Sequence, residues 1–267
     1  MEKRQLLDHG YLGLVETWGS DECIIEAARM STGKGFLGWG PVCNSCGAAF
    51  ASAEGELPCP RPAAGQEYIN HGRGGHVFDK PGDEKLLRFL YENKHSTPFE
   101  MAGLTIEVQA PIMVFREWHR HRVPFGYSEM SARYTPLPDF NYVPTVERLL
   151  MNSKTNKQAG TAAGAAQLNE IQAEMYRARL VTQYAGDELL YQDALAMGVP
   201  KELARVHLPV GRYSRMRATA NLRGWLGFMT LRSALGAQYE IRVYSDAVGD
   251  LIAKSFPRTW ELFAEHR

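Results

Sequence analysis

The sequence predicts an α+β protein in which a small antiparallel sheet lies beside a large helical part. The segment "GLTIEVQAP" alternates Leu104, Ile106, Val108 and Ala110 before Pro111 ends it, and "GRYSRMRATAN" alternates in the same way. Period-two patterning marks a strand with one buried face, because successive side chains point to opposite sides. Elsewhere the apolar residues recur at three- and four-residue spacings, the period of a helix with one covered face. No internal repeat is visible, and 267 residues with 45% apolar content suffice for a substantial core.

Taken in order, "SDECIIEAARMS" reads as a short helix with Ser20 as N-cap and Ile24, Ile25 and Ala28 on one face. From Thr32 to about Pro81, Gly, Pro, Ala and Ser dominate and periodicity is lost, the signature of a long inserted loop. "GDEKLLRFLYENK" restores a helix, with Leu86, Leu87 and Leu90 behind an acidic first turn. The first strand follows, then "IMVFREWHRHR" as a helix entering a cationic motif, and "TPLPDFNYVP" as a proline-punctuated connector. Leu168, Ile171, Met175 and Leu180 mark a longer helix, and "DELLYQDALAMG" and "PKELARVHLP" extend the helical half, punctuated by Gly198, Val199 and Pro200. After the second strand come the helix "LRGWLGFMTLR" and an amphipathic helix through Ile241, Tyr244, Val248, Leu251 and Ile252.

Thirty basic residues balance thirty acidic ones, so no global field draws the chain to nucleic acid or to a membrane surface. "MEKRQLLDHGYLGLVETWGS" lacks the apolar run of a signal peptide, and no window approaches the ~20 apolar residues of a membrane span. A soluble, cytoplasmic protein is expected, and any anion site must be local.

"HRHRVPFGYSEMSARY" supplies such a site. His119, Arg120, His121 and Arg122 stand in a row, and Glu129 and the Arg133–Tyr134 pair follow within a dozen positions. Guanidinium forks match phosphates and carbonyl-rich rings, and a carboxylate such as Glu129 holds an arginine or accepts from a ribose hydroxyl. A solvated basic loop is the dull alternative. The interleaved Phe125, Tyr127, Met130 and Tyr134 argue for partial burial, where arginines need anionic partners. Arg212, Arg215, Arg217, Arg223 and Arg232 add five guanidiniums within twenty-one residues. His95 and Thr97 in "KHSTPFEM" are a weaker signal, since a histidine at a helix end is commonly a dipole partner. Cys43, Cys46 and Cys59, with His71 and His76 downstream, allow a Cys₃His zinc knuckle, but the second C-x2-C pair is missing. Free thiols in a flexible loop are therefore preferred and no metal is assigned. No Rossmann fingerprint, P-loop or nucleophile elbow is present.

"RHRVPFGYSEMSARY" resembles the signature R-H-R-x-x-S-x-N-E-x-S-x-R-Y of the flavin-dependent thymidylate synthases, with one extra residue between the arginines and the serines. "AARMS", "HSTPFE", "APIMVFREWHRHR", "GVPKELARVHLP", "NLRGW" and "LRSALGAQYEI" resemble other blocks of that family, in the same order. The resemblance implies that family's α+β fold as a single domain over residues 1–267, with the Cys/Gly/Pro-rich insertion at about 33–80. It implies a homotetramer with active sites at subunit interfaces. FAD, NADPH as its reductant, and methylenetetrahydrofolate as carbon donor to C5 of a uridine nucleotide, dUMP or UMP, are implied too. Carried over by position, the flavin falls to Thr97, Arg120, His121, Arg122, Glu129, Asn221, Arg223 and the position of Gly227, with Ser31 nearby and His95 between folate and flavin. The nucleotide falls to Glu117, Arg120, Glu129, Met130, Ser131, Ala132, Arg133, Arg205 and Arg232. Arg232 is the catalytic assignment: a fixed cation beside the N3–O4 side of uracil stabilises the charge that makes C5 nucleophilic, and no cysteine is needed.

The chain departs from the family pattern around these arginines. Gly126 and Ser128 replace a serine and an asparagine, Glu117 replaces a glutamine, and Gly227 and Gly236 stand where an asparagine and a histidine are usual. The changes in the nucleotide loop motivate a UMP-methylating variant of nucleoside-antibiotic assembly. A nucleotide- or RNA-binding protein using the arginine cluster without chemistry is the alternative, and a flavin-binding paralogue without turnover is a third reading.

Overall fold

The computed structural model describes residues 1–40, 82–153, 156–161 and 165–267. They form two compact units. Met1–Glu16, Leu104–Ala220 and Gly224–Leu251 make the first; the described part of Thr17–Gly103, with Asn221–Arg223 and Ile252–Arg267, makes the second.

The sheet comprises β1 (Lys3–Leu6), β2 (Gly10–Trp18), β3 (Gly103–Pro111), β4 (Gly126–Glu129) and β5 (Tyr213–Asn221), in the order β1-β2-β3-β5-β4. β1 pairs antiparallel with β2, and β4 with β5. The α+β expectation holds, and the two anticipated strands are β3 and β5. Leu104, Ile106, Val108 and Ala110 are all fully buried, as the alternation requires. β1, β2 and β4 carry no such signal: β1 buries only Leu6, β2 buries four consecutive residues, and β4 is the polar "GYSE" inside the cationic motif.

Gly10 in β2 is a glycine because of close approach. A Cβ there would lie 2.0 Å from the Tyr244 hydroxyl, which donates to the Gln109 carbonyl at 2.8 Å. Tyr244 is fully buried and its ring cannot swing away. Gly10→Ala is therefore expected to destabilise the protein by about 3 kcal/mol or more, the range of severe overpacking. An unchanged urea midpoint would refute this.

Helices of the first unit are α3 (Ile112–Trp118), α4 (Val146–Leu150), α5 (Glu170–Ala196), α6 (Lys201–Ala204), α7 (Leu222–Arg232) from Gly224 on, and α8 (Tyr239–Ser255) up to Leu251. An aromatic cluster joins three of them. Trp118 of α3 stacks on Phe228 of α7 at 4.9 Å and meets Trp225 and Tyr244 edge-on at 6.5 and 6.2 Å. The Trp225 indole donates to the Leu104 carbonyl of β3 at 3.0 Å, tying α7 to the sheet. α3 ends at Trp118, so His119–Arg122 lie beyond the helix rather than within it.

α5 opens with a capping box between Asn169 and Gln172 and runs unbroken for 27 residues. Its expected apolar stripe is not its buried face: Ile171 and Met175 are 74% and 52% exposed, while Ala173, Tyr191 and Ala194 are buried. Helical spacing identifies a face but not what covers it.

The second unit holds α1 (Asp21–Arg29), α2 (Asp83–Glu92) and α9 (Pro257–Glu265). Ser20 caps α1 as expected, accepting from the Cys23 amide. The buried Asp21 carboxylate accepts from the Arg258 and Thr259 amides and the Thr259 hydroxyl, so α1 caps the first turn of α9. Arg29 binds the buried Asp83 carboxylate, which joins α1 to α2. Cys43, Cys46, Cys59, His71 and His76 lie outside the described residues.

Candidate active site

In the first unit, Arg232 closes α7 and turns toward α3 and the loop that follows it. Its Nε donates to Nε2 of His121 at 2.9 Å, one Nη donates to the Glu117 carboxylate, and the other donates to the Glu117 carbonyl at 2.9 Å. The guanidinium has five N–H donors, three of which these bonds use, leaving two. The side chain is only 15% exposed, so the charge sits in a partly dry setting.

His121 accepts from Nε–H, which requires an unprotonated Nε2. Burial, then the Arg232 guanidinium, pushes its pKa down to about 4, partly opposed by Glu117. The loop carrying His121 is fixed from both ends. Phe125 packs edge-on against Trp225 at 4.8 Å, and the Tyr127 hydroxyl of β4 donates to the His121 carbonyl at 2.6 Å. Burial raises the Tyr127 pKa above its ordinary value, so the phenol stays a donor.

Glu117 and Arg232 line a cavity of about 740 Å³, with Arg148, Asn152, Tyr239 and Arg242 on its other walls. Glu129, Met130, Ala132 and Arg205 line a second cavity of about 400 Å³, together with Arg116 and Ser214. The two cavities share no lining residue among those described. Glu129 lines the second one from the end of β4, where it pairs opposite Met216 of β5. Beyond β4 the chain turns at Ser131, whose carbonyl accepts from the Tyr134 amide at 3.0 Å; Ala132 is buried there, and Arg133 pairs with Glu202 at the surface. Arg116, Arg120, Arg122 and Arg205 have no ion-pair partner among the described residues. Of these, Arg116 and Arg205 line the smaller cavity, and unpaired guanidiniums there suit an anionic ligand.

Several flavin candidates lie in the second unit. Ser31 is exposed in a 3₁₀ turn after α1, and its hydroxyl donates to the Ala28 carbonyl at 3.1 Å. His95 is exposed and edge-on to Phe89, and Thr97 opens the turn Thr97–Glu100. Arg223 is held by the Glu100 carboxylate. Asn221 is half-buried at the end of β5. In the first unit, the position of a Cβ on Gly227 is open, with nothing within 4 Å. Within the second unit, the exposed Thr97 hydroxyl and Arg223 guanidinium are donors of a kind that suits a diphosphate cofactor.

The family model described as thymidylate synthase complementing protein matches residues 13–258. This chain belongs to that family. Flavin-dependent thymidylate synthases of Thermosipho africanus and Wolbachia pipientis are 30% and 31% identical over 97% and 99% of this chain, and 92% and 77% of theirs. The crystal structures of a UMP/dUMP methylase, PolB from Streptomyces cacaoi, bound with 5-Br UMP and 5-Br dUMP, are 26% and 27% identical. They superpose with TM-scores of 0.68 and 0.69, covering 97% and 98% of this chain and 95% and 97% of theirs.

As a thymidylate synthase complementing protein the chain is an enzyme of the methyltransferase class. At its departure from the family pattern, Gly126, a Cβ would lie 3.1 Å from the Thr219 methyl on the paired strand, a tight contact. Glu117 keeps the neighbourhood of Arg232, although its side chain is now an anion. Three participants carried no signal in the sequence. Arg116 and Ser214 reach the smaller cavity only through the placement of α3 against β5, and Glu100 becomes the partner of Arg223 only through the fold. Among the described residues no cluster of His, Cys, Asp or Glu is arranged to hold a metal, and no helix is long and apolar enough to cross a membrane.

Proposed function

We propose that this enzyme methylates C5 of a uridine 5′-monophosphate, taking carbon from methylenetetrahydrofolate and reducing equivalents from NADPH through FAD, in the cytoplasm. The observation that carries the reading is Arg232, a nearly buried guanidinium fixed by three hydrogen bonds with two N–H groups to spare beside a 740 Å³ cavity. Preorganised donors of this kind stabilise charge developing on a uracil oxygen with no reorganisation at the moment of reaction. Arg120, Glu129, Met130, Ser131, Ala132, Arg133 and Arg205 hold the nucleotide, with Arg120 and Arg205, unpaired among the described residues, taking its phosphate. Thr97, Arg120, His121, Arg122, Glu129, Asn221 and Arg223 hold the flavin, with Ser31 and Gly227 beside it and His95 at the folate and flavin. When bound, the flavin supplies the hydride that completes the methyl group.

The nucleotide candidates divide between two cavities, Glu117 and Arg232 lining one, Glu129 and Arg205 the other. This division supports the homotetramer reading, in which one ligand meets residues of two subunits, each contributing the full chain as one catalytic domain. The PolB structures, bound with both 5-Br UMP and 5-Br dUMP, support acceptance of the ribonucleotide.

Purified protein is expected to be yellow, to bleach with NADPH, and to add the mass of one methyl group to UMP or dUMP when methylenetetrahydrofolate is present. A colourless protein that retards RNA on a gel overturns the enzymatic reading. A strong preference for dUMP overturns acceptance of UMP alone.

A further inference from the structure

We infer that Glu117 and His121 are positioning residues that hold Arg232 in its working orientation, with His121 acting as a neutral hydrogen-bond acceptor rather than as a cation. The inference rests on the reading of Arg232 given above and adds a role for the two side chains that surround it.

An arginine at the end of a helix carries several freely rotating bonds, and its fork has no preferred direction until acceptors choose one. Here the acceptors come from two places in the chain. Glu117 presents its carboxylate and its own carbonyl from α3, and His121 presents Nε2 from the loop three residues past that helix. The bonds occupy Nε and one hydrogen on each Nη, which sets both the plane and the rotation of the guanidinium. The two free N–H groups then have a single direction, so displacement of the fork moves them off their target. Misplacement of a reacting group by about 1 Å costs on the order of 100-fold in rate.

The surroundings of His121 suit an acceptor. Arg232 and Glu117 are the charged groups that face it, and Phe125 and Phe228 flank the ring at 6.1 and 4.9 Å. A protonated imidazole would present an N–H to the Arg232 N–H and a positive charge to the guanidinium. The ring stays neutral down to about pH 4. Glu117 and His121 fix the fork, so the substrate meets two oriented donors on a held cation rather than a mobile one.

Four variants of the full-length enzyme test this: Glu117→Ala, Glu117→Gln, His121→Phe and Arg232→Ala. Turnover is measured per bound flavin, and nucleotide affinity by equilibrium dialysis with UMP and dUMP. Glu117→Ala and His121→Phe are expected to lower kcat about 10–100-fold with less than about threefold change in nucleotide Kd. Glu117→Gln, whose amide oxygen still accepts from an Nη, is expected to recover at least part of that loss. Phenylalanine keeps the ring packing, so a thermal midpoint near that of the wild type separates mispositioning from misfolding.

A second readout needs no catalysis. The folded-state pKa of His121 lies below the ordinary 6.5, so the folded enzyme binds fewer protons than the unfolded chain between about pH 6.5 and 4. Stability contributed by the neutral ring is complete above pH 6.5 and falls as the pH drops through that window. The wild-type urea midpoint should therefore decline more steeply with acid than that of His121→Phe. Parallel declines, or variants that keep kcat within about threefold while Arg232→Ala loses it, overturn the inference. Full turnover by Arg232→Ala would instead remove the reading of Arg232, while the acid-stability comparison would still decide the state of His121.

Discussion

Arg232→Ala is expected to lower kcat by roughly 10²–10³, the loss that follows removal of a preorganised donor from a developing oxyanion. The arginine is 15% exposed, so its charge acts through a medium less screening than bulk water. Nucleotide affinity should change far less than kcat, because the unpaired Arg205 and the Glu129–Arg133 segment line or adjoin a different cavity. Arg232→Lys is not a conservative exchange here. An ammonium cannot reach Nε2 of His121, the Glu117 carboxylate and the Glu117 carbonyl in one plane. It should recover only a small part of the lost rate. Steady-state kinetics on saturating nucleotide checks both variants, and a kcat for Arg232→Ala within threefold of wild type would remove this residue from the chemistry.

Trp118→Ala is expected to destabilise the protein by about 3–5 kcal/mol, the usual consequence of truncating a fully buried aromatic ring. Trp118 is 0% exposed and packs on Phe228, Trp225 and Tyr244, so the vacated volume opens between α3, α7 and α8. The same residue lies between Glu117 and the loop of His121, so activity should fall together with stability. Trp118→Phe should be much milder. The indole N–H finds no acceptor among the described residues, and losing it removes no hydrogen bond. Thermal and urea unfolding of the two variants decide the point; equal losses would show that the cavity is not the cause.

Much of the architecture was legible in the residues. Leu104, Ile106, Val108 and Ala110 announced β3 because a strand with one buried face writes its geometry directly into alternation. Ser20 announced the start of α1 because an unsatisfied first turn needs a side-chain acceptor close by in sequence. Signals of this kind depend on neighbours within a few residues. β4 was illegible for the opposite reason: "GYSE" has no apolar alternation, and its partner on β5 lies some ninety positions away. Ile171 and Met175 were placed on the right helix but on an uncovered face, since periodicity says nothing of the surface it will meet.

The cationic motif shows the same division. The sequence by itself determined which residue types gather at 119–134, and with them the family to which the chain belongs. Only the tertiary structure decided that His121 would be a neutral acceptor, that Glu117 would bind the guanidinium of a residue over a hundred positions on, and that the nucleotide candidates would line two separate cavities. Charge and donor type are properties of a side chain. Protonation state, orientation and shared cavities are properties of what the fold packs against it, through desolvation and contacts between residues distant in sequence.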